Sequence, residues 1–125
     1  MEFFDRDLRR GEETTFEAKV AEFPDGTPIS VTVRSIAGSR RDPRLAMLGV
    51  QHGDEYSGME VINRLMDSLD PGDLSGEIVA VPVSNPLAFN TGGRVTPPSI
   101  GYENLNLNRV WPGNPEGLLM ERVAA

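Results

Sequence analysis

Apolar and polar positions alternate cleanly from Thr15 onward. Phe16, Ala18 and Val20 fall on one face and Thr15, Glu17 and Lys19 on the other, which predicts a strand. Ile29, Val31 and Val33 repeat the pattern against Ser30, Thr32 and Arg34. Between the two runs lies Pro24-Asp25-Gly26-Thr27-Pro28, whose Asp-Gly pair suits a tight hairpin turn. Leu45-Ala46-Met47-Leu48-Gly49-Val50 is instead unbroken and apolar, as is Glu77 to Val83, and both predict strands covered on two faces. Between them Met59, Ile62, Leu65, Met66 and Leu69 recur at helical spacing, and Asp70-Pro71-Gly72 stops the helix. Strand, helix and strand with short connections predict a βαβ unit with parallel pairing. The fold class expected is therefore α/β, an N-terminal antiparallel β-hairpin joined to a parallel βαβ core.

The flanks read differently. Residues 1–13 are charged and non-periodic and predict a peripheral start. Asn85 to Gly113 is rich in Gly, Pro and Asn and has no sustained period, the signature of a functional or disordered loop. Asn114-Pro115-Glu116 has the order of a helix N-cap, first position and acidic first turn, and predicts a helix burying Leu118, Leu119 and Val123. That helix reaches Ala125 with no stop signal, so the chain is expected to be one domain, residues 1–125, and the N-terminal part of a longer one.

Composition narrows the chemistry. With 19 Asp and Glu against 12 Lys and Arg, the formal charge is −7, which disfavours a phosphate backbone as partner. No apolar run approaches the roughly 20 residues of a membrane span, and the charged N-terminus lacks the apolar core of a signal peptide. A cytoplasmic protein binding neither nucleic acid nor membrane is expected. There is no cysteine, so thiolate metal sites and thiol nucleophiles are excluded and ligands must come from His, Asp, Glu, Arg, Asn and backbone.

The first apolar strand runs into Gly49-Val50-Gln51-His52-Gly53-Asp54-Glu55. Ligand sites of open α/β sheets lie beyond the carboxyl ends of strands. His52 and Glu55 offer an imidazole and a carboxylate, the donor types of catalytic zinc, and Gly53 between them is expected to let the backbone turn both toward one centre. A bare His-x-x-Glu is a weak signal, and a surface histidine bonded to a neighbouring acid fits the same residues. Asp54 is either an orienting group behind a ligand or a solvated acid. Farther on, Arg94, Asn108 and Arg109 could grip a carboxylate or polarise a carbonyl oxygen. Trp111 is expected to pack in the core.

His52-Gly53-Asp54-Glu55, then Asn85-Pro86, then Asn108-Arg109 ahead of Trp111-Pro112-Gly113, together resemble the succinylglutamate desuccinylase/aspartoacylase family, from about residue 14 to the end. Its members are zinc-dependent deacylases related to the zinc carboxypeptidases. The resemblance implies part of a zinc-carboxypeptidase-like sheet, with Zn2+ as cofactor and His52 and Glu55 as its ligands. It also implies Arg94 as the group polarising the scissile carbonyl, and Asn108 with Arg109 as holders of the substrate carboxylate. The implied activity is amide hydrolysis of an N-acyl amino acid or similar small carboxylate. Asn106 stands where the family usually has Asp. The second zinc-binding His and the catalytic Glu of the family fall beyond residue 125, and His52 is the only histidine, so half a site is expected. A carboxypeptidase-like peptidase, or a binding module for small carboxylates without catalysis, would use the same residues. A parallel sheet that stops early leaves an open edge, so self-association of the isolated chain is also expected.

Overall fold

A computed structural model of the chain describes residues 8–100 and 105–125. The predicted peripheral start falls mainly on residues 1–7, outside this range. Among the described residues seven strands and α-helices follow one another: strands β1 (Glu12–Glu22), β2 (Pro28–Ala37) and β3 (Arg44–Leu48), helix α1 (Ser57–Ser68), strand β4 (Glu77–Val81), and helices α2 (Pro86–Asn90) and α3 (Leu119–Ala124). The strands form one mixed sheet in the order β1-β2-β4-β3. β1 and β2 are antiparallel with Phe16 opposite Val33 and a register shift between Lys19 and Ala21. β2 is antiparallel to β4, and β3 runs parallel to β4 with Leu45 beside Ile78.

Period-two alternation on β2 and β4 sends side chains to two cores. On one face Ile36, Ile78 and Ala80 receive Ile62 and Met66 of α1. On the other, Val33, Val79 and Val81 pack with Ala18 and Val31. A third cluster joins Ala21 and Ile29 to Leu107, Met120 and Val123, which docks α3 on β1 and β2. α1 is amphipathic, and it ends where the Asp70 carboxylate accepts the Gly72 N–H to start a short 3-10 turn over Pro71–Asp73. Among the described residues no helix is long and apolar enough to cross a membrane.

Four expectations need correction. β3 is covered less than its apolar run predicts: Leu45 and Leu48 are exposed, because β3 is the outer strand of the described sheet while β4 is buried at every position. The stretch after Asn85 contains α2 and a 3-10 turn over Leu107–Arg109. α3 begins four residues past Pro115. The Asn114 side chain instead accepts the Glu116 N–H, the Gly117 N–H turns back to the Asn114 carbonyl, and Leu118 is exposed. Within the helix Glu121 accepts the Leu118 N–H at 2.8 Å, which closes the first turn. Finally, β1 starts at Glu12, inside the segment expected to lie outside the sheet.

Candidate functional site

Parallel pairing puts the carboxyl ends of β3 and β4 side by side, and the site is built where both strands stop. The Gly49 N–H donates to Val81 O and the Ser84 N–H donates back to Gly49 O, both at 2.9 Å. A side chain at Gly49 would lie 2.5 Å from Pro82 O, so only glycine permits this approach. Val50 then takes a φ of 46°, an unusual conformation for a β-branched residue that costs on the order of 1–3 kcal/mol. This turn out of the strand carries the chain directly into Gln51 and His52.

His52 is buried at 6% exposure. The Glu55 N–H donates to the His52 carbonyl at 3.1 Å, folding the segment so that Glu55 Oε1 stands 3.1 Å from His52 Nδ1. Gly53 serves a different purpose from the one its spacing suggested. It has no positive φ; instead a Cβ there would lie 2.3 Å from the Ala88 carbonyl carbon and 2.4 Å from Gly93 O. The glycine lets α2 and the following turn come into backbone contact, sealed by the Gly53 N–H donating to Arg94 O at 3.1 Å. Arg94 thereby reaches the pair, and its Nη1 donates to Glu55 Oε1 at 3.0 Å and to Asp54 Oδ1 at 3.4 Å. The guanidinium, first, and His52, second, hold the Glu55 carboxyl below its ordinary pKa.

The other ring nitrogen, His52 Nε2, lies 3.0 Å from Asn106 Oδ1. That oxygen also accepts the Asn108 N–H at 3.1 Å, which fixes the amide orientation and assigns a proton to Nε2; Nδ1 faces an acceptor as well, and a second proton there donates to Glu55. In the neutral ring Nδ1 is then an electron-pair donor facing a carboxylate oxygen. Two facing donors call for a proton or a cation, so the pair fits two positions of a zinc donor set. Among the described residues no third His, Asp or Glu joins them.

The sequence candidates are thus partly assembled. His52, Glu55 and Arg94 meet directly. Asn108 and Arg109 are exposed and tied in through Asn106, with Arg109 Nη1 donating to the Asn108 carbonyl at 3.1 Å. Asp54 meets Arg94 and stays exposed. Trp111 is not a core residue: it is 36% exposed and its Nε1 donates to Gln51 Oε1 at 2.9 Å, because the partner for its N–H lies at the rim of the site. Sequence reasoning used Asn85-Pro86 only for the resemblance and gave the Asn85 side chain no role, although Asn followed by Pro is a helix-capping signal; that side chain is buried and caps α2 by accepting the Ala88 N–H at 3.0 Å. An open groove of about 930 Å³ between β1 and the 112–125 segment shares no residue with this cluster.

Comparison with known proteins identifies relatives of this chain. Residues 41–125 match the family described as succinylglutamate desuccinylase/aspartoacylase catalytic domain. The chain is 34% identical over 97 residues to the N-alpha-acetyl-L-2,4-diaminobutyric acid deacetylase of Halomonas elongata, covering 78% of this chain and 26% of that enzyme. It is similar in structure to an aspartoacylase family protein from Mesorhizobium loti, with a TM-score of 0.79, 34% identity, and coverage of 95% of this chain and 36% of that one. The product-bound ectoine utilization protein EutE (DoeB) from Ruegeria pomeroyi follows with a TM-score of 0.73 at 27% identity, covering 94% of this chain and 36% of its own. The chain therefore spans about a quarter to a third of the length of these relatives. By the matched residues and by its fold, the chain belongs to the succinylglutamate desuccinylase/aspartoacylase family.

Proposed function

We propose that this chain supplies one wall of the active site of a zinc-dependent hydrolase acting on the amide bond of an N-acyl amino acid or a similar small carboxylate. The observation that carries the reading is the convergence of His52, Glu55 and Arg94, with His52 Nε2 held by Asn106 and Nδ1 directed at Glu55. His52 and Glu55 would hold the metal, which when bound supplies Lewis-acid activation of water and of the scissile carbonyl. Asn106 orients the imidazole from behind, as groups bonded to a ligating histidine do. Arg94 would donate to the carbonyl oxygen as it gains negative charge, a role that matters most when water is excluded. Asn108 and Arg109, exposed on the turn that also carries Asn106, would take the substrate carboxylate, with guanidinium geometry suited to a paired hydrogen bond.

The substrate class follows the Halomonas elongata relative, whose name specifies an N-acetylated amino acid. The remaining donor and the general base are not among the described residues, and full turnover is assigned to a chain of the relatives' length. The test is zinc affinity of this chain beside His52→Ala and Glu55→Ala, followed by amine release from N-acetyl amino acids by the longer protein. Each substitution is expected to weaken zinc more than about tenfold and to abolish hydrolysis. Zinc binding that neither substitution alters would overturn the assignment of the metal site.

A further inference from the structure

Asn85 touches none of the candidate ligands, yet its side chain is fully buried and bonded at both ends. Oδ1 accepts the Ala88 N–H at 3.0 Å and the Thr96 hydroxyl at 3.2 Å, while Nδ2 donates to Gln51 O at 3.3 Å. Its main-chain N–H donates to Val50 O at 3.1 Å. These contacts reach both arms of the site. Gln51 immediately precedes His52, and Thr96 follows Arg94 by two positions. Val50 holds its unfavourable positive φ only as long as its neighbours over-determine it. Asn85 supplies the bonds to the Val50 and Gln51 carbonyls, while Ser84 supplies the one to Gly49.

We propose that Asn85 is a positioning residue: a buried amide that clamps the strained Val50–Gln51 turn to α2 and Thr96, and so fixes where the His52 imidazole stands relative to Arg94. The inference rests on the reading of His52, Glu55 and Arg94 as one working site, and it deepens that reading. Without the side-chain clamp the Gln51 carbonyl loses its donor while the main-chain bond to Val50 O stays, Gln51 shifts, and the imidazole loses its fixed relation to Asn106 on one side and Glu55 on the other. A purely structural role would differ. The protein would become less stable, but the imidazole of every folded molecule would keep its surroundings.

His52 is the only histidine, so the imidazole nitrogens of a 15N-labelled chain give one unambiguous set of signals. The experiment records them for the metal-free chain, for Asn85→Asp, and for the pair Thr96→Val and Thr96→Ser. Asn85→Asp keeps both acceptor bonds, loses the donor to Gln51 and sets a carboxyl oxygen against that carbonyl. Thr96→Val keeps the volume and loses the hydroxyl, and Thr96→Ser restores it. The wild-type signals are expected to report a single tautomer protonated at Nε2. Asn85→Asp is expected to move them toward the average of the two tautomers and to weaken zinc about tenfold. Thr96→Val is expected to give a smaller displacement in the same direction, which Thr96→Ser reverses. If Asn85→Asp does not fold, the Thr96 pair carries the test alone. Folded variants whose His52 signals superimpose on the wild type overturn the positioning role even if the wild-type chain binds zinc. Displaced signals in a chain that binds no zinc leave the positioning role standing and remove the metal reading instead.

Discussion

Two glutamates stand among nitrogen-bearing partners at opposite ends of the parallel pair β3–β4. Glu77 begins β4 beside Arg44, the first residue of β3; it is buried at 3% exposure and bonded to Arg10 at 2.6 Å and to Arg44 at 2.8 Å. Glu55 lies beyond the carboxyl end of β3, 52% of its side chain exposed, with Arg94 at 3.0 Å and His52 at 3.1 Å. The chemistry of the two clusters is similar and their burial is opposite. A buried carboxylate has no alternative to its partners and is costly to strip of them. An exposed one contributes little to stability but remains open to an incoming cation or ligand. The amino end of the parallel pair is a structural staple, and the carboxyl end, open to solvent, carries the proposed site.

The strongest way to break this comparison is at the staple. Glu77→Gln replaces the charged acceptor shared by Arg10 and Arg44 at the root of the sheet with a neutral amide whose one oxygen can serve only one of them well. Because both arginines reach solvent, the loss falls short of a fully buried pair, and an unfolding free energy lower by about 2–3 kcal/mol is expected from urea titration. A change well under 1 kcal/mol would show that Glu77 is no staple. Next in size is Gly53→Ala, which forces a methyl group to within 2.3 Å of the α2 backbone. Overpacking of this kind costs on the order of 2 kcal/mol. Its effect is local: hydrogen exchange is expected to quicken at Ala88, Phe89 and Gly93 while the β1–β2 ladder stays protected. Uniform acceleration over the whole sheet would contradict the close approach. Glu55→Gln is the matching probe of the exposed cluster. It is expected to leave the unfolding midpoint almost where it was and to remove zinc binding, the reverse of what Glu77→Gln does.

How much of this could be read from the chain varies with how each part is held together. β1 and β2 announce themselves through alternation because Ala18, Val31 and Val33 reach a core while Glu17 and Thr32 stay exposed, and α1 through its spacing because Ile62 and Met66 reach the core. The covered state of β3 could not be read, since an apolar run looks the same in an inner strand and an outer one. Asn-Pro occurs at 85–86 and at 114–115 with opposite outcomes. After Asn85 come Leu87, Ala88 and Phe89, and Ala88 is buried as the cap closes a helix. After Asn114 comes Gly117, and the turn closes on itself before α3 can begin. In the site, His52, Glu55 and Arg94 were legible as residue types of matching chemistry. Their support was not: the bonds from Asn85 to Gln51 and from Asn106 to His52 span 34 and 54 positions, and no local pattern encodes a contact at that distance.

The smallest expected effect sharpens the comparison through pH. In the metal-free chain Arg94, and after it His52, hold the Glu55 carboxyl below its ordinary value. A carboxyl lowered on folding favours the folded state fully at pH values above its unfolded pKa of about 4.3, and that contribution disappears as the pH falls through the lower folded value. Between neutrality and about pH 5 this group therefore adds no pH dependence, and the loss belongs to the acid side. Because the carboxylate is exposed, the change in stability is slight, and the direct measurement is the carbon-detected titration of the Glu55 carboxyl itself. Arg94→Gln is expected to raise that midpoint toward the ordinary glutamate value, with the remaining displacement owed to His52. A midpoint that does not move on losing Arg94 would mean that the guanidinium does not sit on Glu55 in solution. The exposed cluster would then be a His52–Glu55 pair alone, and Arg94 would be free to meet substrate without first leaving a carboxylate.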